Sequence, residues 1–167
     1  MELLVNAHGK TYTVIYDDLD HHIVRQYKWS IQVNGSGVCY ARGSEIKNMK
    51  NRLYMHRLIM APLTRSDLID HANGDGLDNR RCNLRKCTRR QNAYNSKPPK
   101  GREYKGVEFY RGRWSPQIIW EGIRIRMGRY DTKEEAISVY DKVAERLHGE
   151  FAWLNNRRLA VQETKVG

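Results

Sequence analysis

Apolar and polar positions alternate in short runs over the first fifty residues. Thr11-Tyr-Thr-Val-Ile-Tyr16 and Trp29-Ser-Ile-Gln-Val33 have the β-branched and aromatic content of strands. Asn34-Gly-Ser-Gly37 reads as a turn from which Val38-Cys-Tyr-Ala41 returns. Tyr54 to Met60 shifts to helical spacing, with Leu58, Ile59 and Met60 on its apolar faces and Pro62 as its stop. Leu68-Ile-Asp-His71 reads as a short strand running into a polar, glycine-containing loop, Ala72 to Asn79. Thr88-Arg-Arg-Gln91 has the form of a capping box, in which hydroxyl and amide serve each other's backbone N–H groups, and opens a short helix to about Asn95.

The second half is more regular. From Arg113 to Trp120, the residues Trp114, Pro116, Ile118 and Trp120 share one face, while Arg113, Ser115, Gln117 and Ile119 share the other. Glu121-Gly122 makes a turn, after which Ile123, Ile125 and Met127 point inward and Arg124 and Arg126 outward. Thr132-Lys-Glu-Glu135 is a second capping box, opening a helix with Ala136, Ile137, Tyr140, Val143, Ala144 and Leu147 as its apolar stripe and Gly149 as its stop. The pattern predicts a three-stranded antiparallel sheet with one helix on its apolar face and arginines on the other. Asn155 to Gly167 reads as a loose tail. The fold class is α+β: a β-rich scaffold over 1–51, a compact motif over 52–95, a basic linker over 96–104, the sheet-and-helix module over 105–155, and a tail over 156–167.

Charge narrows the function. The 167 residues carry 30 Lys plus Arg against 19 Asp plus Glu, a net charge of +11 that suits a polyanionic partner. The chain has 4 Trp and 10 Tyr, too aromatic for a disordered basic tail. No segment is apolar enough for a membrane span, and Met1 to Asn6 lacks the regions of a signal peptide. The three cysteines make an odd count with no CxxC pair, which supports neither a zinc ribbon nor a disulfide framework and points to a reducing compartment. From Arg80 to Arg102 there are nine basic residues and no acid, so Arg85, Arg89, Arg90, Lys97, Lys100 and Arg102 are candidate phosphate contacts. Within that run, Ser96-Lys-Pro-Pro-Lys-Gly-Arg102 has linker composition. Residues 1–95 carry 15 basic and 9 acidic side chains and the remainder 15 and 10, so both halves can touch one partner.

Asp70-His71, Asn83 and Asn92 form the sharpest chemical pattern. A carboxylate beside a histidine at a strand end, facing an asparagine on a short helix, can hold a hard cation. Mg²⁺ takes oxygen ligands and keeps several waters, so Asp70 and the Asn92 amide oxygen suffice if a phosphate completes the shell. His71, pointing the other way along the strand, can take a proton from water at an ordinary pKa near ~6.5. Alone, His71 would be a structural histidine; its spacing with Asp70, Asn83 and Asn92 favours the base. Asn83 reads as a loop brace, and His56 as packing against the motif. Asp17, Asp18, Asp20, His21 and His22 read as a solvated turn, Cys82 and Cys87 as idle thiols, and Trp114 and Trp120 as core.

Asp70-His71, Gly74, Asp78-Asn-Arg80, Asn83-Leu-Arg85 and Gln91-Asn92, with Met55-His-Arg-Leu58 upstream, resemble the HNH (ββα-metal) nuclease motif of phage and intron-encoded homing endonucleases. The resemblance implies that His71 is the general base, that Asp70 and Asn92 hold one Mg²⁺ or Mn²⁺, and that Asn83 braces the catalytic loop. Asn92 stands where many relatives have the motif's final histidine, which favours Mg²⁺-type chemistry over zinc. The implied reaction is phosphodiester hydrolysis giving a 5′ phosphate and a 3′ hydroxyl.

Lys105-Gly-Val107, Trp114, Met127-Gly-Arg-Tyr130, Glu135-Ala136, Ala144, Gly149-Glu-Phe-Ala152 and Leu154-Asn155 are similar to the plant ethylene-response-factor (APETALA-type) domain. That domain lays a three-stranded sheet in the major groove, a mode shared by other β-sheet readers. The likeness implies DNA contacts from Lys105, Arg124 and Arg126, and the strand alternation adds Arg113, Ser115 and Gln117. Glu108 and Ile119 stand where that family often carries contacting arginines, so the recognised base sequence is not carried over.

The expectation is a cytoplasmic, phage- or intron-encoded, sequence-directed endonuclease acting on double-stranded DNA, with no membrane or small-molecule partner. It would be a monomer on DNA, with a dimer as the alternative. The rival is a non-cleaving DNA-binding regulator built on the same scaffold. A structured-RNA binder is disfavoured because the arginine face of the sheet offers no exposed aromatic stacking platform.

Overall fold

The computed structural model describes residues 1–45, 52–61, 64 and 66–156; Pro62, the expected helix stop, lies outside them, as does most of the expected tail. The chain divides into two compact units, Met1–Asn92 and the residues from Ala93 onward. Among the described residues no helix is long and apolar enough to cross a membrane.

The first unit opens with a hairpin of β1 (Glu2–Ala7) and β2 (Lys10–Ile15). The turn residues His8 and Gly9 both have positive φ, 53° and 71°, as a two-residue hairpin of matching twist requires. β1 was not legible in the strand pattern, since His-Gly is a weaker turn signal than Asn-Gly. Its inner residue Val5 is buried with Val14 of β2. A 3-10 turn (Asp18–Asp20) and α1 (His21–Val24) lead to β3 (Tyr27–Val33), β4 (Cys39–Glu45) and β5 (Arg52–Tyr54), an antiparallel sheet in that order. In the turn between β3 and β4, the Asn34 side chain accepts from the backbone N–H of Ser36 at 3.0 Å and of Val38 at 2.9 Å. Then come α2 (Met55–Met60), the β6 (Leu68–His71) and β7 (Leu84–Cys87) ribbon, and α3 (Arg89–Tyr94). Val5, Val14, Val24, Ile31, Met55, Ile59 and Leu84 meet in one core.

The acidic stretch before α1 is more than a solvated turn. Asp20 is fully buried and accepts from Arg81 Nε at 3.0 Å and Nη2 at 2.7 Å, and Asp17 accepts from the Arg81 backbone N–H at 2.8 Å. These bonds, with Ile15 N–H to Leu77 O (2.9 Å) and Asn79 N–H to Ile15 O (2.7 Å), tie the loop between β6 and β7 to the N-terminal hairpin.

The second unit is an antiparallel sheet of β8 (Val107–Tyr110), β9 (Arg113–Trp120) and β10 (Ile123–Arg126) in the order β10-β9-β8, with α4 (Lys133–His148). The Thr132–Glu135 capping box forms as expected, and the stripe packs Ala136, Ile137, Tyr140 and Ala144 against Val107 and Ile118. Two expectations fail. Ile123 and Ile125 do point to the helix side, opposite Trp120 and Ile118, yet they remain 68% and 38% exposed. The reason is reach: α4 lies against β9 and β8, leaving edge strand β10 uncovered, and only Met127 returns to the core. Asn155, expected in the tail, is buried. Its side chain accepts from Lys105 N–H at 2.9 Å and donates to Lys105 O at 3.1 Å, while its backbone N–H donates to Asp141 at 2.8 Å.

Candidate active site

β6 and β7 pair so that Asp70 stands opposite Arg85 and His71 opposite Leu84. Successive side chains of a strand face opposite ways, so Asp70 and His71 diverge although both are buried. The loop that follows is held by asparagine side chains. Asn83 Oδ1 accepts from Asn73 N–H at 3.0 Å, and Asn83 Nδ2 donates to Asn73 Oδ1 at 3.0 Å and Asp78 O at 2.7 Å. Asn83 is thus a brace, as its position suggested. Asp78 is itself locked by Arg80, whose Nε and Nη2 reach it at 2.8 and 2.7 Å. The Thr88 capping box is present, with Thr88 N–H to Gln91 at 2.8 Å and Gln91 N–H to Thr88 Oγ1 at 3.2 Å, and it starts α3 directly after β7. Strand, braced loop, strand and helix follow without a break, and α3 carries Asn92 exposed.

His71 sits in a nest of rings that no sequence signal marked as one cluster. His56 presents its ring edge-on at 5.0 Å between centroids, Tyr40 lies 5.8 Å away, and Tyr54 stacks on His56 at 5.4 Å. On another side Nε2 of His71 lies 3.4 Å from Oδ1 of Asn79, which is fully buried. Burial lowers the His71 pKa, opposed by the Asn79 bond and by the carboxylates of Asp70, Asp75 and Asp78. The imidazole is therefore neutral at neutral pH, the form a base requires. Burial drives His56 further, to about 3, with the neighbouring His71 and Arg57 adding to the shift. Cys87 is pushed up to about 11 by burial and by Asp70, so it stays a thiol at neutral pH.

These histidines make the first unit acid-sensitive. A folded pKa below the ordinary ~6.5 means that the unfolded chain binds more protons, so stability is present above ~6.5 and falls as the pH drops towards about 3. Urea midpoints of the wild type should decline over that window, at most about 1.4 kcal/mol per pH unit for one histidine. His56→Phe should flatten the decline. An equal slope in the variant would contradict this origin.

Among curated proteins, the chain is similar to a protein named an uncharacterized HNH endonuclease, from Acanthamoeba polyphaga mimivirus. They are 31% identical over 132 residues, which cover 78% of this chain and 67% of the relative. The chain belongs to the HNH endonuclease family. No protein-family model and no solved structure matches it.

For an HNH protein the donor set at Asp70 fits a hard cation only in part-built form. Among the described residues, no three His, Cys, Asp or Glu side chains come together as a metal cluster. Asp70 offers a buried carboxylate and Asn92 an exposed amide on α3, donor types that suit Mg²⁺ or Mn²⁺ with water and phosphate completing the shell. Arg85, expected to contact phosphate, instead forks onto Asp70 Oδ2 through Nε at 3.0 Å and Nη2 at 2.8 Å. A carboxylate has about four lone-pair sites on two oxygens, so this ion pair and a metal bond are compatible.

The other expected nucleic-acid contacts divide. Lys105 is turned inward: its ammonium donates to the carbonyls of Ala93 (3.0 Å), Tyr94 (2.7 Å) and Ser96 (2.8 Å), capping the end of α3, and burial lowers it to about 8. Arg80 and Arg81, from the same acid-free run, are held by Asp78 and Asp20, and Arg102 pairs with Glu108. All three acids lie outside the run, so the run itself looks unpaired in sequence. Arg89, Arg90, Lys97 and Lys100 are exposed. On the outer face of the second sheet, the register aligns Arg113, Ser115 and Gln117 with Arg124 and Arg126, with Arg113 also 3.2 Å from Asp131. Tyr110, opposite Arg113, is 56% exposed on that face, so the face does carry an aromatic ring, contrary to the expectation from the alternation.

Proposed function

We propose that the protein is a sequence-directed HNH endonuclease of the homing type that hydrolyses phosphodiester bonds in double-stranded DNA. The first unit cuts, and the second locates the site through the Arg113, Ser115, Gln117, Arg124 and Arg126 face of its sheet, in the manner of an ethylene-response-factor domain. The observation that carries the reading is a buried His71 beside Asp70 at the end of β6, followed by a loop braced by Asn83.

In this reading Nε2 of His71 donates to Asn79, which sets the tautomer with Nδ1 as the proton-accepting nitrogen. His71 takes a proton from water as the water oxygen forms a bond to phosphorus, and the bond from phosphorus to the 3′ oxygen breaks, that oxygen taking a proton from solvent to leave as the 3′ hydroxyl. Asp70 and Asn92 would hold the divalent ion, which supplies charge stabilisation at the phosphate. Tyr40, Tyr54 and His56 hold the His71 ring in place and keep water from its sides. Arg89, Arg90, Lys97 and Lys100 contribute phosphate attraction, which makes the affinity steeply salt-dependent.

The products offer a direct test. Supercoiled plasmid carrying candidate sites should be nicked or linearised in Mg²⁺ or Mn²⁺, and DNA ligase should reseal it. Ends that cannot be sealed without prior phosphatase and kinase treatment would contradict the 5′ phosphate and 3′ hydroxyl chemistry. Binding without any cutting would favour a regulator that kept the scaffold.

A further inference from the structure

A groove of about 730 Å³ lies between the tip of the β1–β2 hairpin and strands β3 and β4. Its walls include His8, Lys10, Tyr12, Ser30 and Arg42, and among the described residues no carboxylate lines it. We propose that this groove holds the phosphodiester backbone of a DNA strand, with Lys10 and Arg42 as its two charged phosphate contacts. The inference rests on the reading of the protein as a DNA nuclease and gives the N-terminal β layer a substrate-binding role.

Three features support it. The first is charge: two cations and an imidazole wall a concave site with no acid among its described lining residues, an arrangement that attracts phosphate. The second is preorganisation. Arg42 donates from Nη1 to Gln32 Oε1 at 2.8 Å, and Tyr54 OH donates to the same oxygen at 3.1 Å, so the guanidinium is aimed before any ligand arrives. A guanidinium has five donors in a fixed fork suited to phosphate, and Gln32 takes one of them. Lys10 is exposed and follows the tight His8-Gly9 turn, its backbone fixed by pairing with Ala7.

The third is continuity with His71. Residues paired across β3, β4 and β5 share a face: Ser30 with Arg42, Gln32 with Tyr40, and Arg42 with Tyr54. On that face Tyr40 and Tyr54 reach the His56 and His71 rings. A strand lying along the groove would run over the same sheet surface that buttresses the candidate base. Phosphates bound at Arg42 would then lie along the surface that leads to His71.

The test is the salt dependence of duplex binding. Lys10→Gln and the double variant Lys10→Gln/Arg42→Gln are compared with wild type and with Lys142→Gln, a charge control on an exposed position of α4. Each lost phosphate contact should lower the slope of log K against log salt by about 0.9 and weaken binding roughly fivefold to tenfold near 0.1 M salt. The single variant should lose one step, the double variant two, and Lys142→Gln none. Wild-type slope and affinity in a folded Lys10→Gln protein would overturn the groove assignment while leaving the nuclease reading intact. A wild-type protein with no salt-dependent duplex binding would overturn both.

Discussion

His71→Ala is expected to slow cleavage of a bound duplex by about 10²–10⁴-fold while the dissociation constant stays within about twofold. The two halves of that expectation have different origins. The rate falls because the buried imidazole is the proton acceptor of the reaction and Asn79, an amide, cannot replace it. Affinity is preserved because burial keeps His71 neutral at neutral pH, so its removal subtracts no positive charge from the phosphate-binding surface. Alanine also leaves space beside the Tyr40 and His56 rings, so thermal melting must accompany the assay. A variant that binds, melts close to wild type and still cuts would exclude His71 as the base.

The largest stability effect is expected at Gly106. Its φ of 67° lies in the left-handed region, where an L side chain costs about 1–2 kcal/mol. A Cβ there would also overlap the Tyr140 ring and the Gln117 carbonyl oxygen. Tyr140 cannot yield, because it is among the most fully buried side chains of the second core, and the Gln117 backbone bonds to Gly106 O at 2.7 Å. Gly106→Ala should therefore destabilise the second unit by about 3 kcal/mol or more, once overpacking is added to the backbone strain. Gly101→Ala separates the two contributions: its φ is 85°, but open space surrounds the added carbon, so only the backbone strain remains. Urea unfolding followed by fluorescence would report both, since Trp114, Trp120 and Trp153 lie in that unit. Equal losses at the two glycines would contradict the packing argument.

Local chemistry was legible in the sequence, and long-range pairing was not. Both capping boxes, at Thr88 and Thr132, close over three residues, so spacing alone exposes them. The Asn34 turn and the Asn83 brace likewise rest on short-range bonds with loop geometry that the residue types imply. The misplaced residues share another cause. Arg81 finds Asp20 at a separation of 61 residues, Arg85 finds Asp70 across a ribbon, and Asn155 finds Lys105 50 residues away. A basic run appears unpaired in sequence until the fold delivers the acids. Ile123 and Ile125 teach a related point: alternation states which way a side chain points, while burial depends on whether a helix reaches that strand. The ring cluster of Tyr40, Tyr54, His56 and His71 joins three separate stretches of chain, and only the sheet register brings them together.

The proposed function requires that His71 carry DNA cleavage. Single-turnover cleavage of a duplex selected for binding tests it most directly, with wild type and His71→Ala in Mg²⁺ and in EDTA. Wild type should cut the duplex in Mg²⁺ alone. Intact duplex in every lane, with binding confirmed in the same samples, would contradict it.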